Sequence, residues 1–339
     1  MVSRLIILDK NFLQSEDKTT PRLRALAHCG CEFVLTDTLI YEFCSDANPR
    51  LWPSLQRKLF PFADRLHLWF HTAKLLRREV CGNRPIDGPE DGFATRCLHE
   101  WFRSGQVYVP ENLRDIVNEA HQQREVDTME KVAPMARSVG WLCNSFTTDL
   151  RRRANNREDI NRLCLKFVDD KSIISWTIKA CHGNPDSQEN YIPDAADRIN
   201  VGWFAYHHAR VTLALICVFL KKYGLSDNPG KKFPNTKLDA DYLALLHYAD
   251  GLASDETTGD MADMSQWLFG NKKKFINTTQ LRLLLPTEDA IRRTAYHEWE
   301  RTRRTHGHDL ADWYKSESDL YEVLWEKLEL QPQIRENLP

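Results

Sequence analysis

The 339-residue chain is 42% apolar and 28% charged, the proportions of a folded globular protein rather than a fibrous or disordered one. A formal net charge of −2 excludes a chain-wide basic field, so any polyanion must be met by local patches. Nine cysteines, an odd number with no CxxC pair, argue against a structural zinc site and suit a reducing, cytoplasmic setting.

The opening run Leu5-Ile6-Ile7-Leu8-Asp9 is too short for a signal peptide and reads as a buried strand closed by a carboxylate. Pro21 to His28 is a short helix with Thr20 as cap and Pro21 at its first position. Glu32 to Leu35 is a second strand, and Thr36 or Asp37 caps a helix carrying Glu42. This β-α-β-α opening predicts a parallel sheet with helices on both faces.

From residue 50 the pattern turns helical and aromatic. Leu51–Glu79 carries Trp52, Leu55, Leu59, Phe62, Leu66 and Trp69 at helical spacings. Gly82 to Gly92 is a loop, Phe93–Phe102 a helix, and Gln106–Pro110 a third strand leading into a helix from Glu111. Residues 112–181 alternate charged and apolar residues with helical period, and a polar loop spans Gly183 to Pro193. Asp194–Tyr223 is a long core helix; its most apolar stretch, Val211 to Leu220, is about half the length a bilayer requires, so a soluble protein with no membrane contact is expected. Ser226 to Thr236 is a linker. Then come a helix over Lys237–Asp250, a short strand Gly251–Ser254, a helix over Asp260–Phe269, a weak strand Phe275–Asn277 and a charged helical tail from Glu288.

Single acids after strands are usually turn formers or caps, and Asp37 and Asp239 are read that way. Asp9 closes the first strand, with Asn11 beside it to orient a carboxylate or a water. Glu42 lies in the first turns of its helix, where the macrodipole also favours a carboxylate. Asp241 projects towards the sheet edge, Asp255 follows the short strand, and Asp260 opens the next helix. In an open parallel sheet these positions gather outside the carboxyl ends of the strands. Carboxylates gathered there suit hard cations such as Mg²⁺ or Mn²⁺, which prefer oxygen ligands and keep several waters.

The strand-Asp9-x-Asn11 opening, the strand-helix with Glu42, and the run Asp241-Tyr-Leu-Ala-Leu-Leu-His-Tyr-Ala-Asp-Gly-Leu-Ala-Ser254-Asp255 resemble the PIN domain superfamily of metal-dependent ribonucleases. The resemblance covers residues 1–48 and 236–285, with 104–125 a further candidate for the core. It implies an α/β fold: a small parallel sheet flanked by helices, a large helical insertion over 49–235, and a helical extension over 286–339. It also implies Asp9, Glu42, Asp241 and Asp255 as direct or water-mediated ligands of Mg²⁺ or Mn²⁺, with Asp260 an additional ligand or an alternative to Asp255, and Ser254 at the family's hydroxyl position. The activity implied is an endoribonuclease leaving a 5′-phosphate and a 3′-hydroxyl; such nucleases are often toxins or defence effectors. The alternatives are a non-catalytic scaffold, whose insertion or tail binds a protein partner or a second copy, and a DNA-directed nuclease of related fold.

A polyanion needs cations near such a site. Lys272, Lys273 and Lys274 are the preferred run, because they follow the helix after Asp255; Arg151–Arg153 with Arg157, Arg162 and Lys166, and Lys231–Lys232 and Arg301–Arg304, supply others. His297-Glu298, His306 and His308 read as a surface helix and turn, and Cys181-His182 as a helix end.

Overall fold

The computed structural model describes residues 3–15, 21–44, 51–104, 138, 144–152, 156–182, 192, 194–223, 233–256, 259–270, 272, 274–277, 281, 284–301, 309–322, 324, 327 and 328. The described strands are β1 (Arg4–Leu8), β2 (Cys31–Thr36), β3 (Leu66–Trp69), β4 (Gly251–Ser254) and β5 (Lys274–Asn277). They form one parallel sheet in the order β3-β2-β1-β4-β5. Both faces are covered, so the strands read as near-continuous apolar runs; Ile6, Ile7, Leu8, Phe33, Val34, Leu252 and Ala253 are all buried.

The helices, numbered along the described chain, are α1 (Lys10–Ser15), α2 (Pro21–His28), α3 (Asp37–Cys44), α4 (Leu51–Leu59), α5 (Thr72–Gly82), α6 (Gly92–Ser104), α7 (Asn144–Arg152), α8 (Arg157–Val168), α9 (Lys171–His182), α10 (Ala195–Arg198), α11 (Phe204–Tyr223), α12 (Phe233–Leu245), α13 (Asp260–Phe269), α14 (Glu288–Arg301) and α15 (Asp309–Glu322). Thr36 caps α3, its hydroxyl accepting from Leu39 N at 3.1 Å. The apolar helix α11 packs against α5, α8, α9, α12 and α13. A buried glutamate fixes its start: Glu79, at 0% exposure, accepts from Phe204 N at 2.7 Å and Ala205 N at 2.8 Å. The α14–α15 hairpin leans on α2, where Cys29 Sγ donates to Tyr321 O at 2.9 Å and Tyr321 stacks on His28.

Three expectations change. The third strand is Leu66–Trp69, inside the segment read as helix, and it pairs with β2 from Phe33↔Leu66 to Thr36↔Trp69. The sheet thus draws a strand from within residues 49–235, and Phe62, Leu66, Trp69, Leu98 and Phe102 share its core. The strand expected at Gln106–Pro110, and the segment 105–125 around it, lie outside the described residues. Asp194–Tyr223 is broken at Ile199–Trp203, giving α10 and α11. Finally, α12 begins at Phe233, inside the expected linker, with Pro234 in its first turn.

Candidate active site

The strand order runs outwards from β1 through β2 to β3, then returns to place β4 on the other side of β1. Connections from β1 and β4 therefore leave in opposite directions, and a crevice opens between their carboxyl ends; in open α/β sheets ligands bind at such a point. Asp9 follows β1 there, its N–H donating to Ala253 O at 3.0 Å as a last rung of the β1–β4 ladder. Ser254 ends β4 and donates through Oγ to Asp9 Oδ2 at 2.7 Å.

Asp9 is 2% exposed. Burial, with a smaller push from the Glu42 charge, raises its carboxyl to about 7 against the pull of the Ser254 hydrogen bond and the backbone N–H groups of Asn11 and Lys10. Glu42, on α3, accepts at Oε2 from the Tyr242 hydroxyl at 2.5 Å. Burial and the charges of Glu42, Asp9 and Asp239 hold Tyr242 well above the ordinary tyrosine range, so it remains a donor.

The third acid at this edge is Asp239, on α12. Burial, then the charges of Glu256, Asp9, Glu42 and Asp260, push it well above the usual carboxylate range. Glu256 is raised by burial and by Asp260 and Asp9. Asp9, Glu42, Asp239, Glu256 and Asp260 thus form one set of mutually repelling carboxylates at the mouth of the β1–β4 crevice.

Asp241, expected as the third ligand, is engaged elsewhere. Lys237 Nζ donates to its Oδ1 at 2.6 Å and the Thr72 hydroxyl lies 3.4 Å away, so a cation already neutralises it. Lys237 and Asp241 stand one turn apart on α12 as an i,i+4 pair, and with the helix opening at Phe233, Asp239 is an interior residue rather than a cap. Asp255 is exposed and, with Asn11, Gln14 and Glu256, lines an open pocket of about 460 Å³ just outside Asp9. Asp260 accepts from Thr236 Oγ1 at 3.0 Å and pairs with Lys222 at the end of α11.

Of the expected substrate-binding lysines, Lys272 and Lys274 fall on the opposite edge. Lys274 opens β5 and is level with Gly251, the first residue of β4, so Lys272 and Lys274 mark the amino ends of the strands. Lys273 lies outside the described residues, as do Arg153, Lys231, Lys232, Arg303, Arg304, His306 and His308. Cations beside the acids come instead from Lys222 and from Lys10, whose Nζ donates to Glu42 O at 3.3 Å. Lys222 carried a signal in the sequence, as one of two lysines ending the apolar helix. Glu298 is bound by Arg301 and Lys315 on the outer hairpin. Burial lifts the Cys181 thiol to about 11, which keeps it protonated and no nucleophile.

As donors, Asp9, Glu42, Asp239 and Glu256 offer oxygen alone, the type hard divalent ions prefer, while Asp260 is held by Lys222 as Asp241 is by Lys237. Among the described residues no three His, Cys, Asp or Glu side chains stand close enough to grip one ion directly, so an ion here would be held partly through water. Among the described residues no helix is long and apolar enough to cross a membrane. Compared with known proteins, residues 286–320 match a family model described as a protein of unknown function (DUF2934), which covers most of the α14–α15 hairpin and none of the acidic edge. No curated protein and no solved structure matches the chain.

Proposed function

We propose that the protein is a PIN-like, Mg²⁺- or Mn²⁺-dependent nuclease that cuts RNA in preference to DNA, with residues 49–235 elaborating the small core. The observation that carries this reading is the convergence of Asp9, Glu42 and Asp239 at the switch point between β1 and β4, where burial and mutual repulsion raise Asp9 to about 7. Carboxylates forced together at such a cost are relieved by a divalent cation, and the all-oxygen donor set fits one. When bound, such an ion would lower the pKa of a water, favouring its ionisation, and would offset charge on a phosphoryl oxygen.

The side chains have separable roles in this reading. Ser254 turns Asp9 towards the crevice and Tyr242 does the same for Glu42. Asp239 faces both from α12, while Glu256, Asp255 and Asn11 form the rim a polymer crosses. Lys222 and Lys10 supply positive charge beside the acids for a phosphate backbone.

The test is cleavage of labelled single-stranded RNA and DNA with Mn²⁺ or Mg²⁺, using wild type, Asp9→Asn, Asp239→Asn and Asp241→Asn. Cutting of RNA that needs metal and disappears in the first two variants supports the proposal, and preferred cutting of DNA reassigns the substrate. Equal cutting in every protein marks a contaminant. No cutting and no metal uptake would leave a scaffold and sink the nuclease.

A further inference from the structure

Tyr242 is 1% exposed, with its hydroxyl turned to the acidic edge. A buried phenol hydroxyl requires a partner, and the partner here is a carboxylate oxygen at 2.5 Å, a charge-assisted bond of the stronger kind. Tyr242 stands three residues after Asp239, so one face of α12 delivers both an acid and a hydroxyl to the same place. The arrangement repeats across the crevice, where Ser254 holds Asp9 as Tyr242 holds Glu42. Glu42 has more rotamers to lose than an aspartate, so a fixed donor matters more to it.

We propose that Tyr242 is a positioning residue of this site, holding the Glu42 carboxylate in the orientation in which it helps bind a divalent cation; the inference rests on the metal-dependent reading above. Groups that orient metal-binding side chains commonly change affinity or activity by about 10–100-fold when removed. Tyr242→Phe keeps the ring in the core and removes only the hydroxyl.

The experiment is Mn²⁺ titration calorimetry on the full chain, comparing wild type, Tyr242→Phe, Glu42→Gln and the double variant, each with its thermal midpoint. Tyr242→Phe should bind Mn²⁺ about 10–100-fold more weakly than wild type. Adding it to Glu42→Gln should weaken binding no further, because the hydroxyl acts through that carboxylate. In cleavage, kcat should fall while KM for RNA holds. Unchanged Mn²⁺ affinity with a lowered midpoint makes Tyr242 a core residue alone and overturns the inference, leaving the nuclease reading intact. A wild type that takes up no Mn²⁺ overturns both. If Tyr242→Phe does not fold, 3-fluorotyrosine at position 242 retains ring and hydroxyl. Its fluorine resonance should shift with Mg²⁺, and a resonance that stays in place overturns the inference.

Discussion

Ser254 and Asp9, 245 residues apart in the chain, are joined by a buried hydrogen bond of 2.7 Å across the two strands that flank the switch point. The bond opposes the burial that raises Asp9 and so sets how readily that carboxylate is charged near neutral pH. Removing it with Ser254→Ala should raise Asp9 further. The acid limb of the pH–rate profile should then move to higher pH, with activity reduced at neutral pH and recovered in alkaline buffer. An unmoved limb would mean that another group sets it.

Asp9 also ties stability to pH. Its carboxyl is raised from 3.8 to about 7 on folding, so between those values the native state holds a proton that the unfolded chain has released. The Asp9 contribution to the stability of the metal-free protein therefore falls as pH rises from about 4 to about 7, by an order of a few kcal/mol. His208 acts oppositely: burial lowers it from 6.5 to about 3, so its contribution is lost as pH falls through that window. The informative quantity is the difference in calorimetric midpoint between wild type and Asp9→Asn, in which the His208 contribution cancels. That difference should grow in favour of Asp9→Asn as pH rises towards 7 and shrink when Mg²⁺ or Mn²⁺ is added.

Two aspartates separated by a single residue on α12 should behave differently. Asp239→Asn removes a charge repelled by Asp9, Glu42, Glu256 and Asp260, so the metal-free fold should hold or gain stability while metal-dependent cutting is lost. Asp241→Asn takes the charged partner from Lys237 and should cost about 1–3 kcal/mol, measured by urea unfolding, with metal affinity largely kept. The opposite pattern would return the third ligand to Asp241.

Far from the crevice, Glu79 makes a prediction about the scaffold alone. Its carboxylate receives the N–H groups of Phe204 and Ala205 that open α11, and that of Ile86 at 3.3 Å. Glu79→Ala strands these donors in the core and should lower stability by about 3 kcal/mol or more. Glu79→Gln, which keeps an acceptor, should lose clearly less in the same unfolding titration.

Much of this architecture was legible in the residues. β1, β2 and β4 are short apolar runs bounded by polar residues, and α2, β4 and α13 fall on the spans that capping and composition indicate. β3 was not legible: Leu66–Trp69 is a four-residue edge strand carrying His67, set among aromatics whose spacing also fits a helix, and only its pairing with β2 decides the matter. Of the acids, Asp9 and Glu42 could be placed because one directly follows a strand and the other sits on the helix that follows one. Choosing Asp239 over Asp241 depends on which face of α12 meets the sheet edge, since residues two apart point about 200° apart; a helix start at Phe233 rather than Lys237 makes both interior residues rather than caps. Pro234, a first-turn proline, was the signal that could have fixed it. The lysines before β5 look close to Asp255 in sequence, but a parallel strand begins at the edge opposite to where its neighbour ends.

The pairing of β1 with β4 has a consequence for a chain being made on a ribosome. The first strand, Asp9 and Glu42 emerge early, yet their partners Asp239, Tyr242 and Ser254 follow some two hundred residues later. No truncated product ending before β4 contains a complete acidic edge, and closing so long a loop is slow in parallel sheets. A nascent or prematurely terminated chain therefore lacks the assembled edge, and this constellation of acids comes together only once synthesis has passed Ser254.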